Sequence, residues 1–521
     1  MSGFSEVQVT DIGNRYRGSA DGALNIGGRP VSVEIRLGED AGQTAVQHTA
    51  WMLLNVLSRL EGAVSRLRLR CPEAVRAVPR LSPLIRDGQA LRDALLTGAR
   101  SIGTPADGFV PVELASSPGQ SSEIFIGVGF QFSSEATFCA IGNGLCGGVF
   151  TRPITSPVTS SELTIGPYIA ACLAAGEVFR QVRLIDYTPE RQLFLTACDY
   201  SHDGDPAWTD LKTNQELSSI LLAGVGAVGS AFLHALYPLP LQGTLHLADN
   251  DEKGLDGTNL GRYVLFGVRS IGKQKASEAA SLLTQAQFQV VPHDGSFDYF
   301  FSSGQRPNIV LSAVDTNEAR QSLQEQYAPL IFSASTHNLR AEILRCGPPG
   351  VGACLSCFNP LKQNQRTEDD IRELLRAKPE LISHLCEKLR LNQDEAAVWI
   401  RDRKCNETGD RLVDEFRTDD GSAPAFAVGF VSVLAGTMLA AELLKTMATN
   451  VGPLGGTMNR ALFQFQNPAA PTNRVSFYPR EECCSACAGK NAGTRIWRRR
   501  YEQIQQGRIG PEIVSSPYGG K

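Results

Sequence analysis

The sequence predicts an α/β protein made of two similar halves, joined near a cluster of turn-forming residues at 201–210. Three observations support this fold class. With 521 residues the chain is too long for a single hydrophobic core. The segment 220–283 reads as strand, glycine turn, helix, strand, polar loop and helix. A strand, turn and helix also begin the region before residue 205, which predicts a related first domain over 1–205.

Composition excludes several classes of partner. Hydrophobic residues make up 42% of the chain and charged residues 20%, and the formal net charge is -4. These values are ordinary for a globular protein and give no electrostatic reason to expect nucleic acid. The N-terminus lacks the basic start and apolar run of a secretory signal, so we expect a cytoplasmic protein. Its 13 cysteines should then serve metal binding, catalysis or burial.

The first half starts with an arm that contains Arg15 and Arg17, followed by a predicted strand at 31–37 and an amphipathic helix from about 44 to 60. The turn between them carries Glu39 and Asp40. Carboxylates at a helix N-terminus stand where phosphate would sit and would repel it. We therefore expect no nucleotide site in this half.

A faint internal repeat links the two halves. After predicted strands at 124–130 and 138–141, a helix of small residues at 166–182 ends with Glu177 and Arg180. A second such helix ends with Glu442 and Lys445, and a predicted strand follows each helix, at 191–200 and 460–468. The repeat suggests a duplicated fold that has lost one phosphate loop, although helices of this kind occur throughout α/β proteins.

The segment 423–444 is nearly uncharged and long enough to cross a bilayer. Glu442 and Lys445 lie at helical spacing at its end, and neither a second span nor a basic flank is present in the sequence. We interpret the segment as a helix buried in the protein core, and we expect no membrane partner.

The second half, over 206–360 and 422–490, opens with the sequence ILLAGVGAVGS. After a buried strand, Gly224, Gly226 and Gly229 allow a tight turn, close approach of a ligand and packing of a helix on the sheet. Asp249 follows twenty residues after Gly229, where a carboxylate would hold ribose hydroxyls. This pattern is typical of a Rossmann-like site, and to this point an NAD-dependent oxidoreductase fits equally well.

The residues that follow favour ATP over NAD. Hydride transfer needs no cations and second carboxylate around the phosphates, whereas cleavage of ATP between its α and β phosphates needs cations and a carboxylate for Mg²⁺. The chain offers such a set in Asp251, Asn259, Arg262, Lys275, Asp315 and Arg320.

Together the motifs GxGxxG, DxD, NLxR and GKxK, and a strand ending in Asp with Arg five residues on, resemble the adenylation domain of the ThiF, MoeB and HesA superfamily. This superfamily includes the ubiquitin-activating enzymes, and the resemblance covers about residues 215–490. It implies that Asp249 binds ribose, that Asn259, Arg262 and Lys275 contact phosphates, and that Asp315 binds Mg²⁺. Where the family usually has Gln, the chain has Tyr263, to which we assign no role.

In dimeric members of the superfamily an arginine from the partner's N-terminal arm completes the site. The resemblance thus implies that Arg15 or Arg17 could reach the nucleotide in cis, across an internal pseudo-dimer. An ordinary surface position is the alternative for each arginine.

Two CxxC motifs predict a structural zinc site. Cys354, Cys357, Cys484 and Cys487 would supply four thiolates in a closed tetrahedron, which pins the C-terminal segment to the second half. Cys483 could replace Cys484, but the spacing favours Cys484.

An insertion at 361–421 is charged and helical, and it contains two cysteines. Cys386 lies on an apolar stripe, which favours burial. Cys405 follows Arg401, Arg403 and Lys404, whose charges would favour the thiolate. Since ubiquitin-activating enzymes carry their catalytic cysteine in an insertion of this kind, the resemblance favours Cys405 as the nucleophile over Cys386. A structural role for both remains open.

The resemblance therefore implies a single-chain pseudo-dimer of two Rossmann-like adenylation-type halves, the first inactive and the second active, acting as a monomer. Its expected reaction uses MgATP to adenylate the C-terminus of a ubiquitin-like β-grasp protein. The expected product is then a thioester on Cys405 for a conjugating enzyme, as in a prokaryotic ubiquitin-like pathway. The alternatives are activation of a sulfur-carrier protein, a non-catalytic scaffold and a dinucleotide oxidoreductase. The tail at 491–521 is assigned no role.

Overall fold

The structure is a computed structural model of the whole chain. It describes residues 29–115, 122–183, 192–212, 216–337, 339–360, 368–402, 408–409, 411–413, 428–455, 458–470, 475–482, 484–487 and 492–505.

The chain divides into two compact units. The first unit comprises residues 1–359 and 426–521 and contains both sheets. The second unit comprises residues 360–425, close to the predicted insertion at 361–421. The two predicted halves fall into a single unit because one continuous hydrophobic core runs through both of them.

The first half contains a seven-stranded sheet in the order β3-β2-β1-β4-β5-β6-β7. Strands β1 to β5 are parallel to their neighbours, and β6 and β7 add on in antiparallel fashion. The strands are β1 (Val31–Leu37), β2 (Val64–Arg70), β3 (Val112–Leu114), β4 (Ile124–Val128), β5 (Phe138–Asn143), β6 (Cys146–Phe150) and β7 (Gln192–Thr196). The helices are α1 (Thr44–Ser58), α2 (Leu91–Ile102) and α3 (Ile165–Arg183).

The second half repeats this order as β10-β9-β8-β11-β12-β13-β14 and adds β15 at the edge. Its first five strands are again parallel, and β13, β14 and β15 are antiparallel. The strands are β8 (Glu216–Ala223), β9 (Gln242–Asp249), β10 (Gln289–Asp294), β11 (Ile309–Ser312), β12 (Leu330–His337), β13 (Arg340–Cys346), β14 (Arg460–Gln464) and β15 (Val475–Ser476).

The helices of the second half are α4 (Ala227–Leu236), α5 (Gly257–Leu260), α6 (Lys275–Leu282), α7 (Phe297–Ser302), α8 (Asn317–Glu325), α9 (Leu355–Phe358), α13 (Gly429–Met447) and α14 (Ala492–Gln505). The second unit contributes α10 (Glu368–Ala377), α11 (Pro379–Leu389) and α12 (Gln393–Asp402).

Helix α13 is the core helix of the first unit. By length and composition it is the one described helix that could cross a membrane, yet 89% of its most apolar window is buried inside the protein. At Gly436 the helix touches α4 so closely that a Cβ would lie 2.6 Å from the carbonyl oxygen of Val228. The buried position agrees with the interpretation made from the sequence.

Glu442 and Lys445, near the end of α13, contact residues of the first half. Glu442, at the end of α13, accepts hydrogen bonds from the hydroxyl of Tyr200 at 2.6 Å and pairs with Lys445 at 2.6 Å. Lys445 in turn donates to the carbonyl oxygen of Ala197 at 2.8 Å, just beyond β7. On α3, Gly176 gives room to the ring of Phe465 from the second half.

The second unit has its own small core, formed by Ile371, Leu375, Leu385, Cys386, Ala396, Trp399, Ile400, Leu412 and Val413. The guanidinium carbon of Arg372 lies 4.4 Å from the ring centre of Trp399, so the charge covers an aromatic face. Cys386 is only 2% exposed, and burial raises the pKa of its thiol.

Candidate functional site

The glycine turn of the second half closes the carboxyl end of β8. Gly224 has a φ of 93°, and a Cβ there would lie 2.7 Å from the carbonyl oxygen of Ala313 at the end of β11. Gly229 lets α4 pack on this turn, since a Cβ at Gly229 would lie 2.1 Å from the carbonyl oxygen of Gly224. At Gly226 a side chain would point toward the hydroxyl of Tyr263. The close contacts at Gly224 and Gly229 agree with a tight turn and with packing of α4 on it, whereas the predicted approach of a ligand at Gly226 stays a prediction.

A cavity of about 450 Å³ opens in front of this turn. It lies at the carboxyl ends of β8, β9 and β11, where the strand order reverses and ligands bind in open parallel sheets. Of the residues predicted from the sequence, those that line it are Gly224, Gly226, Asp249, Asp251, Arg262, Lys275, Asp315 and Arg320.

Two carboxylates come from the end of β9. Asp249 accepts a hydrogen bond from the backbone amide of Val225 at 2.7 Å and another from the amide of Asp251 at 3.1 Å. These bonds tie the strand end to the glycine turn. Asp251 contacts the Nζ atom of Lys275 at 2.5 Å, which brings a cation to the same wall.

Lys275 is the first residue of α6, and only 9% of its side chain is exposed. Burial alone would lower the pKa of Lys275, but Tyr263 and Asp251 act in the opposite direction, and the net effect is a raised pKa. The ammonium therefore stays charged at neutral pH.

Arg262 enters the cavity from the irregular loop after α5. Its Nε atom is buried and has no hydrogen-bond partner among the residues that the structure describes. A buried guanidinium donor without a partner is costly, and an anionic ligand would satisfy it. The donor set of the cavity thus fits a phosphate group.

Asp315 follows β11 and faces the cavity. Within the described ranges no hydrogen bond or ion pair engages its carboxylate, which leaves its oxygens available to a hard cation such as Mg²⁺. Arg320 lies one helical turn further on and donates to the carbonyl oxygen of Val314 at 3.0 Å. Burial lowers the pKa of Arg320, and the charge of Asp315 opposes that change.

Two predicted residues lie elsewhere. Gly229 lies behind the turn, as described above. Asn259 forms the capping box of α5 with Asp256, where each backbone amide donates to the other's side chain at 3.0 to 3.1 Å. Asn259 is 8% exposed and does not line the cavity. Arg15, Arg17 and Cys405 lie outside the described residues.

Tyr263, to which we assigned no role from the sequence, also lines the cavity. Its ring centre lies 5.6 Å from the Nζ atom of Lys275 and 5.8 Å from the guanidinium carbon of Arg262. The aromatic ring is thus near both cations. Its place directly after Arg262 in the NLxR motif is the one signal that could have revealed it.

In the first half the corresponding turn is filled by a carboxylate. Asp40 accepts a hydrogen bond from the backbone amide of Phe130, at the carboxyl ends of β1 and β4. A Cβ at Gly129 would lie 2.5 Å from the same carboxylate. The acidic group therefore lies in the turn after β1, where its charge would repel phosphate.

The four cysteines of the two CxxC motifs meet in one cluster. Their sulfur atoms all lie within 4.8 Å of one another, with Cys354 3.7 Å from Cys357 and from Cys484, and Cys357 3.4 Å from Cys487. Four sulfurs about 2.3 Å from a tetrahedral metal would be about 3.8 Å apart. The cluster could hold a metal ion.

The chain is similar to proteins of one known family. The ThiF family model matches residues 208–486. An uncharacterized protein of Sinorhizobium fredii, y4jF, is 28% identical over 335 residues, which are 56% of this chain and 62% of the relative. The chain therefore spans less than two thirds of the curated relative that it matches.

Solved structures of MccB are also similar. The structure of E. coli MccB with ATP has 17% sequence identity and a TM-score of 0.35, and the match covers 53% of this chain and 66% of that chain. The structure of the microcin C7 biosynthetic enzyme MccB with N-formylated MccA has 16% identity and a TM-score of 0.36, covering 53% and 68%.

Proposed function

The chain belongs to the ThiF family, whose model covers more than half of its residues, and we propose that it adenylates the C-terminus of a small protein with MgATP. The observation that carries this proposal is the cavity at the glycine turn, which unites three carboxylates with Arg262 and Lys275. An NAD-dependent oxidoreductase would not need this charge set.

The first chemical step would be attack of a carboxylate oxygen of the carrier protein on the α-phosphorus of ATP. The bond from that phosphorus to the bridging oxygen breaks, and pyrophosphate leaves. Arg262 and Lys275 would stabilise the charge that builds up on the phosphates. Asp249 would orient the ribose by accepting from its hydroxyls, and the amides of the glycine turn would face the phosphates.

Mg²⁺, when bound, neutralises phosphate charge and helps pyrophosphate to leave. Asp315 would hold it, and Asp251 would keep Lys275 in place through their 2.5 Å ion pair. We retain Asn259 as a phosphate contact only on the basis of the family resemblance, since it caps α5 here. We propose that the ring of Tyr263 helps to position the side chains of Arg262 and Lys275.

The finer proposal is that the carrier is a ubiquitin-like β-grasp protein and that Cys405 then attacks the acyl-adenylate. The thiolate sulfur forms a bond to the carbonyl carbon, AMP leaves, and a thioester is ready for a conjugating enzyme. The separate helical unit at 360–425, which contains Cys405, supports this proposal over plain carrier activation. The burial of Cys386 supports Cys405 as the nucleophile.

Activation of a sulfur-carrier protein is the second candidate, because the cavity serves adenylation equally well in both cases. It would need no cysteine in an inserted unit. We place either reaction in the cytoplasm, where the cysteines stay reduced.

We further propose that the first half is an inactive twin and that the chain works as a monomeric pseudo-dimer. The identical strand order of the two sheets and the contacts of Glu442 with Tyr200 support this duplication. Arg15 or Arg17 would then complete the site in cis. Zn²⁺ is the metal that we propose for the four-cysteine cluster.

The test is exchange of labelled pyrophosphate into ATP in the presence of glycine-ended carrier proteins. Wild-type protein should catalyse exchange only with its carrier, and Lys275→Met and Asp315→Asn should each lower the rate by about 10²-fold. Lys273→Met is the matched control, because Lys273 is half exposed and pairs with Glu278 outside the cavity. No exchange with any carrier would refute the adenylation proposal.

Two cysteine variants test whether Cys405 is the nucleophile. Cys405→Ala should keep pyrophosphate exchange and lose a thiol-sensitive adduct with the carrier, whereas Cys386→Ala should keep both. If wild-type protein exchanges pyrophosphate but never forms the adduct, sulfur-carrier activation replaces the thioester proposal.

A further inference from the structure

Two side chains at the end of helix α1 in the first half donate hydrogen bonds to the loop that carries Arg262 and Tyr263. The side-chain amide of Asn55 donates to the carbonyl oxygen of Val264 at 3.0 Å. Arg59, directly after α1, donates through Nη2 to the carbonyl oxygen of Phe266 at 2.8 Å and through Nη1 to that of Leu260.

The side chains of Asn55 and Arg59 are also hydrogen-bonded to each other. Arg59 Nε donates to the Oδ1 atom of Asn55 at 2.8 Å, and the two residues are 1% and 0% exposed. A guanidinium that is fixed at Nε and forks onto two carbonyls has little freedom to move. The pair is therefore a rigid clamp, which we call the α1 clamp (Asn55 and Arg59).

The segment that accepts these hydrogen bonds, residues 260–266, consists of the last residue of α5 and an irregular loop, and it is almost wholly buried. Buried carbonyls in irregular backbone need partners of their own, and the α1 clamp supplies three of them. The next residue is held as well, because a Cβ at Gly267 would lie 2.0 Å from the carbonyl oxygen of Ser101 at the end of α2. The first half thus fixes this loop of the second half at both ends.

We propose that Asn55 and Arg59 are positioning residues for the nucleotide site, acting from the inactive half through the loop at 260–266. They do not line the cavity. They position Arg262 and Tyr263, whose backbone lies between the carbonyl groups of Leu260 and Val264 that accept the hydrogen bonds. The catalytic part of this proposal rests on the proposed adenylation.

The alternative is that Asn55 and Arg59 only stabilise the contact between the two halves. Another hydrogen bond between the halves provides a control for this alternative. Thr164 also donates from the first half to a backbone carbonyl of the second, to Ala235 on α4 at 2.7 Å, and it is fully buried. That bond does not touch the loop or the cavity. If the α1 clamp were only adhesive, Thr164→Val and Asn55→Leu would have similar effects.

Hydrogen exchange measured by mass spectrometry on the full chain tests the clamp without any ligand. Asn55→Leu, which is close in shape, and Arg59→Met should raise amide exchange in peptides covering residues 257–268, by at least about tenfold. Arg59→Lys should give an intermediate increase, because an ammonium can serve only some of the three acceptors. Thr164→Val should leave this segment protected. Unchanged exchange at 257–268 in folded Asn55→Leu would overturn the proposal.

Kinetics then test the link to Arg262. Asn55→Leu should lower the maximal rate of pyrophosphate exchange by about 10-fold to 10²-fold, since small misplacement of a charged group costs this much. Combined with Arg262→Ala, it should lower the rate no further than Arg262→Ala alone. Additive losses would show that Asn55 does not act through Arg262.

The two proposals fail in different ways. If wild-type protein shows no exchange with any carrier, the adenylation proposal fails, and the hydrogen exchange of residues 257–268 still decides the clamp. If wild-type exchange is normal and Asn55→Leu matches Thr164→Val in both measurements, only the clamp fails.

Discussion

His234 joins the two halves at a single buried imidazole. It lies on α4 of the second half, and its Nε2 atom accepts a hydrogen bond from Trp51 Nε1 at 3.2 Å. Its Nδ1 atom lies 2.7 Å from the hydroxyl of Tyr168. Neutral imidazole with its proton on Nδ1 fits both contacts, whereas a second proton on Nε2 would oppose the Trp51 donor.

Burial therefore lowers the pKa of His234 to about 3, and it lowers that of nearby His48 to about 4. Since the unfolded chain binds these protons near pH 6.5, the stabilising effect of the neutral rings is present above pH 6.5. It is lost as pH falls from 6.5 toward the folded values, by up to about 1.4 kcal/mol per pH unit for each histidine.

We predict that His234→Gln reduces this dependence. Urea unfolding at pH 7.5 and at pH 5 should show a smaller loss of unfolding free energy on acidification than in wild-type protein. His202→Gln, away from this cluster, should keep the wild-type difference. A wild-type difference in His234→Gln would contradict the account of the buried imidazole.

Individual site residues were predictable where a local motif defines them. Gly224 and Asp249 follow from their spacing after a strand, Lys275 follows from the resemblance in the GKxK motif, and all three line the cavity. Only its place in the NLxR motif pointed to Tyr263, and the α1 clamp was not predictable, because its role depends on which distant segments pack together. No local pattern tells a reader that Arg59 will meet the carbonyl oxygen of Phe266 some 207 positions away.

At the scale of elements, the four-cysteine cluster joins the C-terminal segment to the second half. It shares a hydrophobic cluster with Trp497 of α14, which is fully buried and donates to the carbonyl oxygen of Pro329 at 3.2 Å. Arg500 on the same helix donates to the carbonyl oxygen of Pro307 at 2.9 Å. Helix α14, which the sequence left without a role, thus docks beside the proposed zinc site.

We predict about one Zn²⁺ per chain by elemental analysis. Removal by a strong chelator should lower the thermal midpoint and expose Trp497, which would shift its fluorescence to longer wavelength. Cys357→Ser should lose the metal, whereas Cys71→Ser, at a cysteine outside the cluster, should retain it. A metal-free wild-type protein with full stability would contradict the zinc proposal.

Elements with strong periodicity were predicted closely. The strand at 31–37 is β1 to the residue, and the helix predicted at 166–182 is α3, one residue longer at each end. The edge strand β3 and the short β15 were missed, since two or three residues carry too little pattern. Strand β6 contains two glycines because a Cβ at Gly147 would meet the backbone of α3, and a Cβ at Gly148 would meet the neighbouring strand β7.

At the scale of the whole molecule, the sequence predicted two halves with an insertion at 361–421, and the structure gives the two halves one continuous core. Helix α13 makes this possible, because its small residues let it pack on both α4 and α3. The strand order of each sheet could be expected from the sequence only in outline. The crossing contacts could not, since they depend on how two complete sheets meet.

The first half contacts the proposed nucleotide site through the α1 clamp, which donates hydrogen bonds to the loop that carries Arg262, while Asp40 lies in its own turn after β1. Under the proposed duplication, the first half would bind no nucleotide and would still be required for activity. We propose that the second half cleaves ATP between the α and β phosphates to activate a protein carboxylate.

The most direct measurement is the identity of the nucleotide products when wild-type protein, MgATP, carrier protein and hydroxylamine are incubated together. Hydroxylamine traps each activated carboxylate as a hydroxamate, so we expect AMP and pyrophosphate in equal amounts, both formed about 10²-fold more slowly by Lys275→Met. Formation of ADP and inorganic phosphate would show that ATP is not cleaved between its α and β phosphates.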